Sequence, residues 1–223
     1  MTDRTQRKAR DFSAFDANVA VDALLQHLQV PAWDILLVGD GSGSTWEGAC
    51  GWSCVLVDRQ TRGRKLFFGG MNVGSNYLAE AMPYLHALLW YHQASGKGRI
   101  HKFGLQRVAI VTDSASFTNG LISTNPEALP MFWGAWNEMK RMGYVIEPRW
   151  LRRSTISMNV LVDMIAGKSR SVMLGASDLV EADRAAFIRN QFAQIEVAGP
   201  DGITPADLAA YNPDAAASNP NPA

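Results

Sequence analysis

Two short apolar runs constrain this chain more than anything else in it, because each has the length of one buried strand and each leads to an aspartate. Asp34 to Val38 opens into Gly39-Asp40-Gly41-Ser42-Gly43, and Arg107 to Thr112 (RVAIVT) ends at Asp113-Ser114. Continuous apolar runs bounded by turn residues read as strands covered on both faces, the habit of parallel strands in α/β proteins. If the two are parallel neighbours, both carboxylates emerge at one sheet edge, the edge at which such sheets bind ligands. Either aspartate taken alone is most simply a turn or helix cap.

The segments around these runs supply the rest of a mixed sheet. Residues 50–57 and 64–73 are β-rich and joined by Asp58-Arg59-Gln60-Thr61-Arg62-Gly63, which suggests an antiparallel hairpin. A helix is expected from about Ala79 to Gln93, with Tyr84, Leu85, Leu88 and Leu89 on its apolar face. Pro83 fits that helix only in the first turn, which puts Glu80 at or near the N-terminus. Further helices are expected after Asp113, from Pro130 to Met142 and from Met158 to Ser169. A strand from Tyr144 to Leu151 lies before the last of them, and Pro148 confines it to a sheet edge. Trp133 and Trp136, three residues apart on a helix, read as core.

Outside this middle, residues 1–30 form an N-terminal arm with a helix whose stripe would be Val19, Val21, Leu24, Leu25 and Leu28. Residues 31–175 are read as the main domain, 176–198 as a C-terminal helical extension and 199–223 as a disordered acidic tail, since the tail carries five of the ten prolines. The whole chain balances 21 basic against 21 acidic residues, yet residues 176–223 hold seven acids and only two bases, Arg184 and Arg189. The body is therefore basic, with clusters at Arg59 to Lys65, at Lys97 to Arg107 and at Lys140 to Arg153, a distribution that suits contact with phosphates as well as plain solvation.

Cys50 and Cys54 lie four strand residues apart, about 13 Å at 3.3 Å per residue, which is too far for a disulfide. No His stands at ligand spacing from them, so two small buried thiols are favoured over a zinc site. The charged N-terminus lacks an apolar signal segment and no run is long enough to span a membrane, which makes a cytoplasmic location the expectation.

Taken in order, GDGSG followed by GACGWSCVL, NYLAEAMPYLHAL with Glu80, IVTDSASFTNG with Asp113, and SMNVLVDMIAGKSR with Asn159 and Asp163 resemble the type I ribonuclease H family over residues 34–170. The resemblance implies an α/β fold, a five-stranded mixed sheet of order 3-2-1-4-5 with helices on both faces. It also implies that Asp40, Glu80, Asp113 and Asp163 are catalytic and metal-binding carboxylates for two Mg2+ ions, with Mn2+ as a substitute. Ser42, Ser44, Asn76, Arg152, Arg153 and Asn159 are the candidate substrate-binding residues. Asn76 serves equally well as the cap of the first central helix, and the serines as turn residues. Asn159 and Asp163, at i and i+4, share a helical face.

Such a set suits a phosphodiester substrate. The anion repels hydroxide, and two hard divalent ions about 4 Å apart supply the positive charge that generates the nucleophile and stabilises the leaving 3′ oxygen. Carboxylates crowded together without metal would instead take protons back. Type I enzymes often carry a His on the loop before the last helix. Here the loop is Trp150-Leu151-Arg152-Arg153-Ser154-Thr155-Ile156-Ser157. Counting back from Asp163 puts Arg153 at that position, while aligning on Trp150 puts Ser154 there.

The resemblance implies an endonuclease that cuts the RNA strand of RNA–DNA hybrids to 3′-hydroxyl and 5′-phosphate ends. The alternatives are a like-folded nuclease acting on structured DNA or duplex RNA, and a non-catalytic nucleic-acid-binding or assembly module. The N-terminal helix and acidic tail leave room for a protein partner.

Overall fold

The computed structural model describes residues 16–29, 32–43, 48–94, 106–123, 130–153 and 156–174. The expected helix at 176–198, the tail at 199–223, Ser44, Ser154 and the bases Lys97, Arg99 and Lys102 lie outside the described residues.

The elements are α1 (Ala17–Leu28), β1 (Ile35–Ser42), β2 (Gly48–Asp58), β3 (Arg64–Gly74), α2 (Asn76–Ala94), β4 (Gln106–Thr112), α3 (Ala115–Ser123), α4 (Pro130–Arg141), β5 (Tyr144–Trp150) and α5 (Ser157–Met173). The strands form one five-stranded sheet of order β3-β2-β1-β4-β5. The β1–β2 and β2–β3 pairs are antiparallel, and the β1–β4 and β4–β5 pairs are parallel. This is the expected architecture, and Pro148 does sit on an edge strand, where its missing N–H breaks no ladder bond.

Strand alternation divides the core in two. On one face Ile35, Leu37, Trp52, Cys54, Leu56, Phe67, Val108 and Ile110 meet α2 and α4, with Trp133 and Trp136 fully inside. On the other face Leu36, Val38, Val55, Val57, Leu66, Ala109 and Val111 meet α1 and α5. Both cysteines are free and buried. The α1 stripe keeps Val21 and Leu24 buried and Leu25 and Leu28 packed on the core as expected, but Ala17 and Ala20 are buried in place of Val19, which is 66% exposed.

The start of α2 also corrects the sequence expectation. The helix begins at Asn76, with the Ser75 hydroxyl accepting from the Leu78 N–H at 3.1 Å. Ser75, and not Asn76, is thus the cap, and Asn76 is an exposed first-turn residue. Pro83 consequently lies inside the helix, past the first turn. It lacks the N–H that would return to the Ala79 carbonyl, a loss this helix tolerates because residues 79–85 are all buried.

Gly41 accounts for where α2 sits. A Cβ at that position would stand 2.5 Å from the Glu80 backbone nitrogen, so only glycine lets the helix backbone lie directly on β1. Gly51, which pairs with Ser42 across β1–β2, does the same on the opposite face, where a Cβ would fall on the α5 backbone at Arg170. Helices from both sides are thereby drawn close to the carboxyl end of β1.

Candidate functional site

The carboxyl ends of the parallel strands β1 and β4 bring Asp40 and Asp113 to one edge, and α2 adds Glu80 from its N-terminal part. One carboxylate oxygen from each of these three lies within 4.8 Å of the others. Asp40 is 3% and Glu80 4% exposed, and the Asp113 side chain is nearly as enclosed. Asp40 falls on the same strand face as Leu36 and Val38, toward α5. Asp163, on α5, is half-buried and close enough to raise the pKa of both Asp40 and Glu80, but its carboxylate stands outside the three-residue group.

The frame that holds these groups is built largely of backbone contacts. The Asp40 Oδ1 accepts from the Gly41 N–H at 2.9 Å, and the same N–H also favours the ionised form of Glu80. The Tyr84 hydroxyl, one helical turn past Glu80, lies 2.8 Å from the Gly39 carbonyl oxygen and 2.9 Å from that of Val111. It shares its proton between the strands that carry Asp40 and Asp113, and its ring is stacked on Phe117. On the far side, the Trp150 indole N–H donates to the Asp113 carbonyl at 3.0 Å and the Leu151 N–H to that of Thr112 at 2.8 Å. Tyr84 and Trp150 are thus positioning residues. Their apolar bodies made them read as core and strand, and only their polar ends betray the role.

Burial dominates the electrostatics. It pushes Asp40 up to about 9, with the charges of Glu80, Asp113 and Asp163 adding to the effect. Glu80 rises to about 8, first from burial and then from Asp113. Arg153 opposes both shifts. Its Nε donates to Asp113 Oδ2 at 2.7 Å, and this bond, with the surrounding acids, raises the guanidinium above its ordinary range.

Among the described residues, Asp40 Oδ2 and Glu80 Oε2 have no hydrogen-bond partner. Buried carboxylate oxygens without a partner, in a cluster of acids, are costly unless a proton or a cation satisfies them. An all-oxygen donor set without His or Cys fits a hard divalent ion. Asn159 on α5 is 7% exposed and its Oδ1 is likewise unpaired among the described residues.

Of the other sequence candidates, Ser42 is half-buried at the end of β1. Asn76 is beside it, for a Cβ on Gly43 would come 2.9 Å from the Asn76 Cα. Arg152 and Arg153 are both exposed on the turn after β5. The structure brings Arg153 to the acids.

No known family profile matches the chain, and no curated protein matches it. Solved structures do. LC11-RNase H1, from a compost metagenome, superposes with a TM-score of 0.50 at 17% identity over 64% of this chain and 99% of its own. The same protein crystallised with an RNA/DNA hybrid gives 0.50 at 15% identity over 63% and 99%. The N-terminal RNase H domain of a Mycobacterium tuberculosis protein, fused to maltose-binding protein, gives 0.49 at 16% identity over 65% and 98%.

Proposed function

We propose that this chain, which has the ribonuclease H-like fold, is a divalent-metal-dependent endonuclease, and that its substrate is the RNA strand of an RNA–DNA hybrid. The observation that carries this reading is the convergence of Asp40, Glu80 and Asp113, two of them with buried oxygens that no described residue satisfies. Asp40, Glu80 and Asp113 would hold Mg2+, and Asp163 would complete the site on its α5 side. Bound ions would supply the charge neutralisation and the water activation that hydrolysis of a phosphodiester needs.

The chain's own residues do the positioning. Tyr84 pins β1 to β4 so that two of the acids keep a fixed separation, and Gly41 lets the third approach. Arg153 offers a planar, permanently charged donor to a phosphate. It cannot accept a proton near neutral pH as a loop His would, so turnover slower than in a His-bearing relative is expected. Ser42, Asn76 and Asn159 are the polar groups at this edge suited to reading a ribose 2′-hydroxyl and the adjoining backbone. The hybrid-bound form of a like-folded protein, LC11-RNase H1, supports that choice of substrate.

The test is Mg2+-dependent cleavage of a labelled RNA–DNA hybrid beside duplex DNA and duplex RNA of the same sequence, with Asp113→Asn as control. Cleavage of the hybrid alone, lost in the variant while its fold persists, is expected. Preferred cleavage of either homoduplex would move the substrate assignment. Binding without cleavage in Mg2+ or Mn2+ would leave a nucleic-acid-binding module.

A further inference from the structure

The three clustered carboxylates are not equivalent. Asp40 and Glu80 each keep an oxygen without a partner among the described residues, whereas Asp113 spends Oδ2 on the Arg153 guanidinium at 2.7 Å. The exposures of that pair are also unequal, at 5% for the Asp113 side chain and 54% for Arg153. The acid is fixed in the protein, held by the Trp150 bond to its carbonyl, while the cation reaches it from solvent at the end of a long side chain.

From this asymmetry we infer that Arg153 is a tethered counter-cation: in the metal-free protein it occupies the coordinating face of Asp113, and metal loading requires the guanidinium to leave. This deepens the metal-site reading above and rests on it. A charge-assisted bond of 2.7 Å to a largely buried carboxylate is strong enough to compete with a weakly held, strongly hydrated divalent ion. A guanidinium and a divalent ion on one carboxylate repel each other, so each disfavours the other at Asp113. Once displaced, the guanidinium has all its donors available for an incoming phosphate. Arg153 thus neutralises the site when no ion is present and meets the substrate when one is, which couples metal occupancy to phosphate recognition.

The experiment is an equilibrium titration of the full chain with Mn2+ alone, free ion followed by electron paramagnetic resonance, for wild type, Arg153→Gln, Arg153→Ala, Arg153→Lys and Asp113→Asn. Circular dichroism confirms that each variant is folded. Removing the guanidinium should tighten Mn2+ binding about tenfold, Arg153→Lys should stay close to wild type, and Asp113→Asn should lose most of the affinity. The thermal midpoint supplies a second readout. Arg153→Gln should melt below wild type without metal and gain more than wild type when Mn2+ is added. Affinity in Arg153→Gln and Arg153→Ala equal to or weaker than wild type would overturn the displacement while leaving the metal site standing. Absence of Mn2+ binding in all five proteins would overturn the metal-site reading itself.

Discussion

Replacing Glu80 by glutamine should make the metal-free protein more stable, and the gain can be worked from the site. Glu80 holds its proton to about pH 8 instead of 4.5, because burial and the neighbouring Asp113 disfavour its charge. A carboxyl raised in the folded state contributes most to stability below its unfolded pKa, and that contribution fades as pH rises from about 4.5 through about 8. The loss is about 1.4 kcal/mol per pH unit in that interval, or about 4 kcal/mol by pH 7.5. Glutamine keeps the shape without the ionisation, but its amide must find a partner among the same acids, so a net gain of about 2–3 kcal/mol is expected. For a chain of this size that is a rise of about 5–10 °C in Tm. Thermal unfolding in EDTA at about pH 7.5 and pH 4 checks it. The rise should be present at the higher pH and absent at the lower, where both side chains are neutral. Saturating Mg2+ should reverse the order by stabilising wild type alone. An equal shift at both pH values, or none at either, would refute the reasoning.

Two substitutions probe the frame around the acids. Tyr84→Phe removes the hydroxyl shared by the Gly39 and Val111 carbonyls, and should cost about 1–3 kcal/mol in denaturant unfolding; an unchanged midpoint would mean that the bridge holds nothing in place. Gly41→Ala drives a methyl group into the α2 backbone beside Glu80, and should cost about 2–4 kcal/mol and weaken metal binding together. A loss below about 0.5 kcal/mol would show that α2 does not need the close approach.

Much of the fold was legible because the strongest local signals agree with the tertiary arrangement. The apolar runs before Asp40 and Asp113, the hairpin turn at residues 58–63 and Pro148 each point to the element observed. The start of α2 was misread because the Pro83 rule is local, and extensive burial of that helix overrides it. The α1 stripe was legible at Val21, Leu24, Leu25 and Leu28, and missed only where Ala17 and Ala20, which carry little hydrophobic signal, are buried in place of Val19. At the site, context after strands singled out Asp40 and Asp113, and the resemblance to the ribonuclease H family added Glu80 and Asp163. Their partners were not legible. The Arg153–Asp113 pair spans 40 residues and the Tyr84–Gly39 bond 45, distances over which no periodicity or capping rule operates. Of the two loop candidates, the turn after β5 puts Arg153 on Asp113, while Ser154 lies outside the described residues.

The proposed nuclease requires that Asp40, Glu80 and Asp113 jointly hold a divalent cation. Anomalous diffraction from crystals soaked in Mn2+ measures this directly. A peak is expected within coordination distance of all three carboxylates, with the Arg153 guanidinium withdrawn from Asp113. A well-ordered site with no peak at saturating Mn2+, or with the ion bound elsewhere and the Arg153–Asp113 pair intact, would contradict it.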